Sequence, residues 1–278
     1  MKNKRILFRA NSSSKIGTGH IMRDLVLAKK YKNHTVTFAT QNLDGNINQK
    51  IINSRYKIHT LKSNKINELI KLIKKLSINL LILDIYSINH KDELKIKKKT
   101  GVTILSFDDT YEKHHCDILL NHNIYAKKSK YKNLIPKKCK IKCGSKYTLL
   151  RDEFKKEKKK IRHKKFNIFL AMGGADTSQL NIHILQALKR INGIKVFVVT
   201  TTANKGLKKL KKYSKKLKWI KLHINSSKIA KLMRKSDLAI VTPSVILNEV
   251  FFMNLPFIAI KTANNQDEMF RYIKEINK

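Results

Sequence analysis

A chain of 278 residues is long enough for two domains of ordinary size, each with its own core. Its three cysteines do not make a disulfide framework, and no apolar run approaches the roughly 20 residues needed to cross a bilayer, so small secreted scaffolds and membrane spans are set aside. A net charge of +42 suits nucleic acid in principle, but the lysines are spread over every helical segment without a basic-aromatic recognition module.

The charge is therefore expected to form a solvated surface that draws anions inward, with neither nucleic acid nor membrane as a partner. The basic N-terminus is followed by an apolar stretch too short for a signal peptide, which makes the cytoplasm the expected location.

In chain order, Arg5 to Ala10 reads as a buried strand, and Ile21, Leu25 and Ala28 recur at helical spacing behind it. Between them runs Asn11-Ser12-Ser13-Ser14-Lys15-Ile16-Gly17-Thr18-Gly19-His20. Gly17 and Gly19 allow the chain to turn from strand into helix, and the first helical amides have no internal acceptors, which suits an anion such as phosphate. The helix dipole disfavours a proton on His20, so this histidine is a candidate general base. Packing or capping of the helix is the plainer alternative.

Thr35 to Thr40 reads as a second strand, and Ile66, Leu69, Ile70, Ile73 and Leu76 mark an amphipathic helix leading into a strand from Asn79 to Asp84. Val102 to Phe107 and Asp117 to Leu120 follow as strands. Cys139 to Cys143 alternates like a strand, which makes its thiols packing residues. The alternative, a zinc site with His114, His115 and Cys116, is the weaker reading, and no metal is expected.

A basic segment, 154–165, separates this half from one that repeats the pattern. Phe166 to Met172 ends in Gly173-Gly174-Ala175-Asp176 before a helix carrying Ile182, Leu185 and Leu188. Ile194 to Thr200, Trp219 to His223, Leu238 to Val241 and Phe257 to Ile260 continue the alternation. The fold class is α/β, with Rossmann-like domains expected over 1–155 and 164–278.

Ligands of open parallel sheets sit outside the carboxyl ends of the strands, so the Gly17 and Gly173 loops are expected to face an interdomain cleft and hold a nucleotide-sugar. After Val241, Ser244 is placed to cap a helix and leave its amides for phosphate, while Glu249 is able to accept ribose hydroxyls. A plain cap and a solvated charge are the competing readings of these two residues.

Several ordered motifs now coincide: Phe8-Arg9, Ile16-Gly17-Thr18-Gly19-His20, Arg23-Asp24-Leu25, Asp84-Ile85-Tyr86, Phe107-Asp108-Asp109, His114-His115-Cys116, Arg151, Met172-Gly173-Gly174-Ala175-Asp176, Asn248-Glu249 and Asn265-Gln266. With them, nearly the whole chain resembles the UDP-2,4-diacetamido-2,4,6-trideoxy-β-L-altropyranose hydrolases of the pseudaminic acid pathway, which serves surface glycans and flagellin. The resemblance implies a GT-B-like pair of Rossmann-like domains and cleavage of the sugar C1–O bond with inversion, without metal or cofactor, in a monomer. It makes His20 the residue that activates water, Tyr86 a wall of the sugar pocket and Asn265 a substrate contact. Gly173, Gly174, Ser244, Asn248, Glu249 and Gln266 would then serve UDP and sugar from the second domain, while Gly17 and Gly19 approach the sugar and β-phosphate. Ile85 stands where the family often has histidine, and Pro243 where a small residue is usual. A UDP-sugar glycosyltransferase shares the fold and is the alternative function. A basic nucleic-acid-binding protein is the second alternative, and it leaves the two glycine loops unexplained.

Overall fold

Short apolar runs separated by amphipathic segments fold here into parallel strands covered by helices. The computed structural model describes residues 3–157, 165–176 and 178–276, so 158–164, within the expected boundary segment, lie outside the described residues. The chain divides into two compact units, Met1–Leu149 and Leu150–Lys278.

The first unit runs β1 (Arg5–Ala10), α1 (Gly19–Ala28), β2 (Thr35–Thr40), α2 (Asn48–Asn53), β3 (Lys57–Thr60), α3 (Ile66–Lys75), β4 (Leu80–Asp84), α4 (His90–Thr100), β5 (Thr103–Phe107), β6 (Ile118–Asn121) and β7 (Lys140–Cys143). These strands form a parallel sheet in the order β3-β2-β1-β4-β5-β6-β7. Because side chains alternate along a strand, Leu7, Leu81 and Ile104 pack to one side with Leu69, Ile73 and Ile96 of α3 and α4. Ile6, Phe8, Ile82 and Leu105 pack to the other side with Ile21, Leu25 and Ala28 of α1 and Ile51 of α2. Both faces are thus covered, which is why the central strands are mostly apolar.

The polar α4 has clear local stops. Asn89 and Asp92 form a reciprocal capping box at its start, and Gly101, at φ 68°, ends it in the left-handed conformation. β3 was not visible as an apolar run, since only Ile58 in Lys57–Thr60 is hydrophobic and the strand lies at the sheet edge.

The His114 to Cys116 segment is a largely buried brace, with Cys116 inside the core and both histidines half-buried. Glu93 of α4 accepts hydrogen bonds from Ser106 at 2.6 Å, from His114 Nδ1 at 2.9 Å and from the His115 amide at 2.5 Å. Burial opposes a charge on His114, but Asp108 and Glu93 outweigh it and push this imidazole up to about 9. Cys139 precedes β7, with its sulfur 3.7 Å from that of Cys116. Among the described residues, no group of three or more His, Cys, Asp and Glu side chains is arranged to hold a metal ion.

The second unit runs α5 (Asp152–Lys156), β8 (Phe166–Ala171), α6 (Leu180–Leu188), β9 (Ile194–Thr200), α7 (Leu207–Lys215), β10 (Ile220–Ile224), α8 (Ile229–Arg234), β11 (Leu238–Val241), α9 (Val245–Phe252), β12 (Phe257–Ala259) and α10 (Asp267–Ile276). Its parallel sheet has the order β10-β9-β8-β11-β12, with Ile168, Leu170, Val196, Val198 and Ile240 at the centre of its core. Among the described residues, no helix is long and apolar enough to cross a membrane.

Candidate active site

In the first unit, β1 lies beside β4 with Ala10 opposite Asp84, so the carboxylate that closes β4 stands next to the loop leaving β1. That loop is clasped on itself. Ser13 and Gly17 exchange backbone hydrogen bonds at 3.2 and 2.8 Å, and Ser13 Oγ accepts from the Lys15 and Ile16 amides. The Ser14 amide donates to the Asp44 carbonyl at 2.9 Å. The amides of residues 13–17 are therefore engaged within the protein. What remains is the first turn of α1, whose N-cap residue, Thr18, makes no side-chain cap. Gly17, at φ 85°, needs its glycine for the turn, whereas Gly19 begins the helix with no such requirement.

α1 presents His20, Arg23 and Asp24 toward the carboxyl ends of β4 and β5. His20 Nδ1 lies 2.6 Å from Asp84 Oδ1. The carboxylate can only accept, so Nδ1 carries the proton and Nε2 is left to accept one. Arg23 Nη2 is 3.2 Å from the same Nδ1, and the closer carboxylate decides the tautomer. Arg23 donates to Asp84 from Nε at 2.6 Å and from Nη2 at 2.5 Å, and its Nη1 reaches both Asp109 oxygens at 2.9 Å. Asp109 in turn accepts from Tyr86 OH and from Asn123 Nδ2, each at 2.9 Å. The Tyr86 ring stands edge-on to His20, with centroids 5.0 Å apart, and is 53% exposed. The structure thus brings two of the expected first-unit residues, His20 and Tyr86, together through Asp84, Arg23 and Asp109.

Electrostatics follow from that network. Burial opposes the Asp84 charge, but Arg23 and His20 overcome it and hold the carboxyl well below the ordinary range. Asp109 is lowered for the same reason, with burial opposing and Arg23 prevailing. His122, buried beside the Arg23 charge, is pushed down to about 4 and stays neutral at ordinary pH. Asp24 is fully buried and neither carboxyl oxygen has a hydrogen-bond partner. Burial, with the nearby Asp84 charge adding to it, raises this group well above the ordinary carboxylate range.

In the second unit, β8 and β11 are neighbours with Ala171 opposite Val241, so the turns after them leave the same sheet edge. Gly173 has φ 81°, and the Gly174 carbonyl accepts from the Thr201 amide at 3.0 Å and from the Thr200 and Thr201 hydroxyls. Ser244 occupies the N-cap position of α9 without capping it; its Oγ lies 3.0 Å from Thr242 Oγ1. The helix amides at that end have no side-chain cap. Glu249, on α9, is buried rather than solvated and receives Arg151 at 2.9–3.0 Å through both carboxylate oxygens. Asn248 is buried beside it in sequence. Asn265 lies exposed on the 3-10 turn before α10, while Gln266 folds back on Thr262, accepting its amide at 2.8 Å and donating to its hydroxyl at 3.2 Å.

Reading the sequence for single motifs found His20 but not its partners. Asp84, Arg23 and Asp109 were candidates only as parts of matched segments, and Arg151 likewise. The signal available was position: Asp84 and Asp108-Asp109 directly follow apolar strand runs, where a parallel sheet places its functional edge.

The chain is 45% identical over 263 residues to the UDP-2,4-diacetamido-2,4,6-trideoxy-β-L-altropyranose hydrolase of Campylobacter jejuni, covering 95% of this chain and 93% of that protein. No family model matches. Among solved structures, MurG of Acinetobacter baumannii superposes with a TM-score of 0.62 at 12% identity, over 98% of this chain and 84% of its own. Anabaena HepE, solved in complex with UDP-glucose, gives 0.60 at 11% identity, over 98% and 90%. At these identities, the two structures speak to the architecture alone: a pair of Rossmann-like domains of the GT-B type.

Proposed function

The chain belongs to the family of UDP-2,4-diacetamido-2,4,6-trideoxy-β-L-altropyranose hydrolases, and on that premise we propose that it cleaves this UDP-sugar to UDP and free sugar with His20 as the base. The observation that supports this mechanism is the 2.6 Å contact between His20 Nδ1 and Asp84. An ionised Asp84 fixes the tautomer, aims Nε2 and stabilises the imidazolium that forms when water gives up its proton.

In the reaction, the water oxygen bonds to C1 as the C1–O bond breaks, and the bond's electron pair leaves with the β-phosphate of UDP. The water proton passes to His20 Nε2 and from there to solvent. Attack from the face opposite the leaving group inverts C1, as in inverting glycosidases. UDP is a stable anion, so the reaction needs less acid assistance than hydrolysis of an ordinary glycoside. A positioned base contributes about 10²–10⁴ in rate.

Tyr86, held by Asp109, flanks His20 and is proposed to contact the sugar. In the second unit, the uncapped start of α9 with Ser244 suits the diphosphate, Gly173 and Gly174 permit close backbone approach, and Glu249 faces ribose. Asn248, Asn265 and Gln266 are the remaining proposed contacts, with Gln266 acting by shaping the turn at 262–266.

The test is UDP release from the diacetamido UDP-sugar with no acceptor present, comparing wild type with His20→Asn. Release that collapses in the variant while UDP binding persists is the expected result. Equal release by both proteins would remove His20 from the chemistry, and release only on addition of a sugar or lipid acceptor would favour a transferase.

A further inference from the structure

Arg151 precedes α5 at the start of the second unit, 98 residues from Glu249, and is held on every side. Its Nε and Nη2 donate to Glu249 Oε1 at 3.0 and 2.9 Å, and Nη2 also reaches Oε2 at 3.0 Å. Its Nη1 lies 2.7 Å from Glu153 Oε1, and its guanidinium sits 5.0 Å above the Phe154 ring. Glu153 is itself tied to α8, since its Oε2 accepts from the Ala230 amide at 3.3 Å. A planar guanidinium fixed by a second carboxylate and a ring is a rigid template for the carboxylate it faces.

We propose that Arg151 is a positioning residue for nucleotide binding, orienting Glu249 so that its remaining lone pair, on Oε2, accepts a ribose hydroxyl. This inference rests on the reading of Glu249 as the ribose contact. A carboxylate has about four acceptor positions, and the two Arg151 nitrogens occupy three, so capacity remains for a hydroxyl.

The chemistry requires such a partner. Burial pushes Glu249 up to about 7 even though Arg151 pulls it down, and the neighbouring Glu153 charge raises it further. Without the guanidinium, burial and Glu153 act alone, so Glu249 becomes a neutral acid across the neutral range. A neutral acid is a weaker acceptor for a hydroxyl than a carboxylate.

The test is calorimetric binding of UDP, 2′-deoxy-UDP and 3′-deoxy-UDP to the full chain between about pH 6 and about pH 9. The ratio of UDP to deoxy-UDP affinity cancels the titration of the diphosphate itself. Wild type should prefer UDP by about tenfold or more over at least one deoxy analogue, the preference falling as Glu249 protonates at the low end. Arg151→Met should lose the preference near pH 7 and regain it as pH rises. Arg151→Lys, which keeps a charge but not the fork, should lie between the two and guards against misfolding of the methionine variant.

An unchanged ratio and pH profile in the arginine variants overturns the proposal. So does an equal weakening of all three ligands, which marks Arg151 as a diphosphate contact. Glu249→Gln separates the two readings. If it abolishes the preference while the arginine variants do not, only the role of Arg151 fails; if it leaves the preference intact, the ribose reading of Glu249 fails and the Arg151 role with it.

Discussion

Replacing Asp84 by Asn changes one atom and removes a charge from the centre of the first-unit network. In wild type, Asp84 accepts from His20 Nδ1 at 2.6 Å and from Arg23 Nε and Nη2 at 2.6 and 2.5 Å. An amide supplies only one oxygen for these donors. With that oxygen facing Arg23, its NH₂ points at Nδ1, which must then accept, and the ring proton moves to Nε2. In the proposed mechanism Nε2 takes a proton from water, so the variant would place the proposed base in the wrong tautomer. The comparable replacement in a serine protease triad costs about 10⁴ in rate. A general base alone contributes about 10²–10⁴, so kcat should fall by roughly that range, equivalent to about 3–5 kcal/mol of barrier. Stability should fall as well, toward the lower end of the roughly 3–5 kcal/mol for breaking a buried ion pair, because Arg23 keeps both contacts to Asp109. The assay is acceptor-free UDP release at saturating substrate, with folding checked by circular dichroism and ¹⁵N shifts of the His20 ring reporting its tautomer. A folded Asp84→Asn protein with kcat within about fivefold of wild type would refute the dyad, as would a wild-type ring protonated on Nε2 alone.

Two further substitutions probe the frame around the site. Gly17→Ala meets no neighbour with its new methyl group, but the residue stays at φ 85°, so the cost is backbone strain of about 1–2 kcal/mol in a urea titration; an equally stable variant would contradict the clasped loop. His114 is raised to about 9 when folded, against roughly 6.5 when unfolded, so its stabilisation is complete below about pH 6.5 and is lost as pH rises through about 9. His114→Gln should therefore flatten the decline in stability across that window, and the same slope in both proteins would show that the imidazole is not the titrating brace.

Much of the architecture could be read before any coordinates. The strands Arg5–Ala10, Thr35–Thr40, Ile194–Thr200 and Leu238–Val241 were expected with these bounds, because each is a short run rich in apolar or β-branched residues. Edge strand β3 escaped, since an edge needs little burial. The pairing order was not legible either, and the site depends on it. Asp84 and Asp109 lie 61 and 86 residues beyond Arg23 and meet it only because β4 lies beside β1 and β5 beside β4. His20 was singled out by its glycine loop, a local signal, but its nearest charged neighbour was not. A helix terminus was weighed, while a carboxylate 2.6 Å from Nδ1 is the stronger neighbour. Arg151 offered no local signal at all, since its partner comes from the far end of the second unit.

The clasp between Ser13 and Gly17, anchored by Asp44 and roofed by Gly45 so closely that an added methyl group would stand 2.9 Å from the Ser14 amide, bears on how substrate is recognised. Loops that order on contact subtract that ordering from affinity, about 0.5–1.5 kcal/mol for each flexible side chain immobilised. This segment has its hydrogen bonds made within the protein, so under the proposed function the His20 end of α1 would meet the sugar as a finished surface. Under that proposal a poorly fitting sugar would find no softness in this loop to absorb the mismatch.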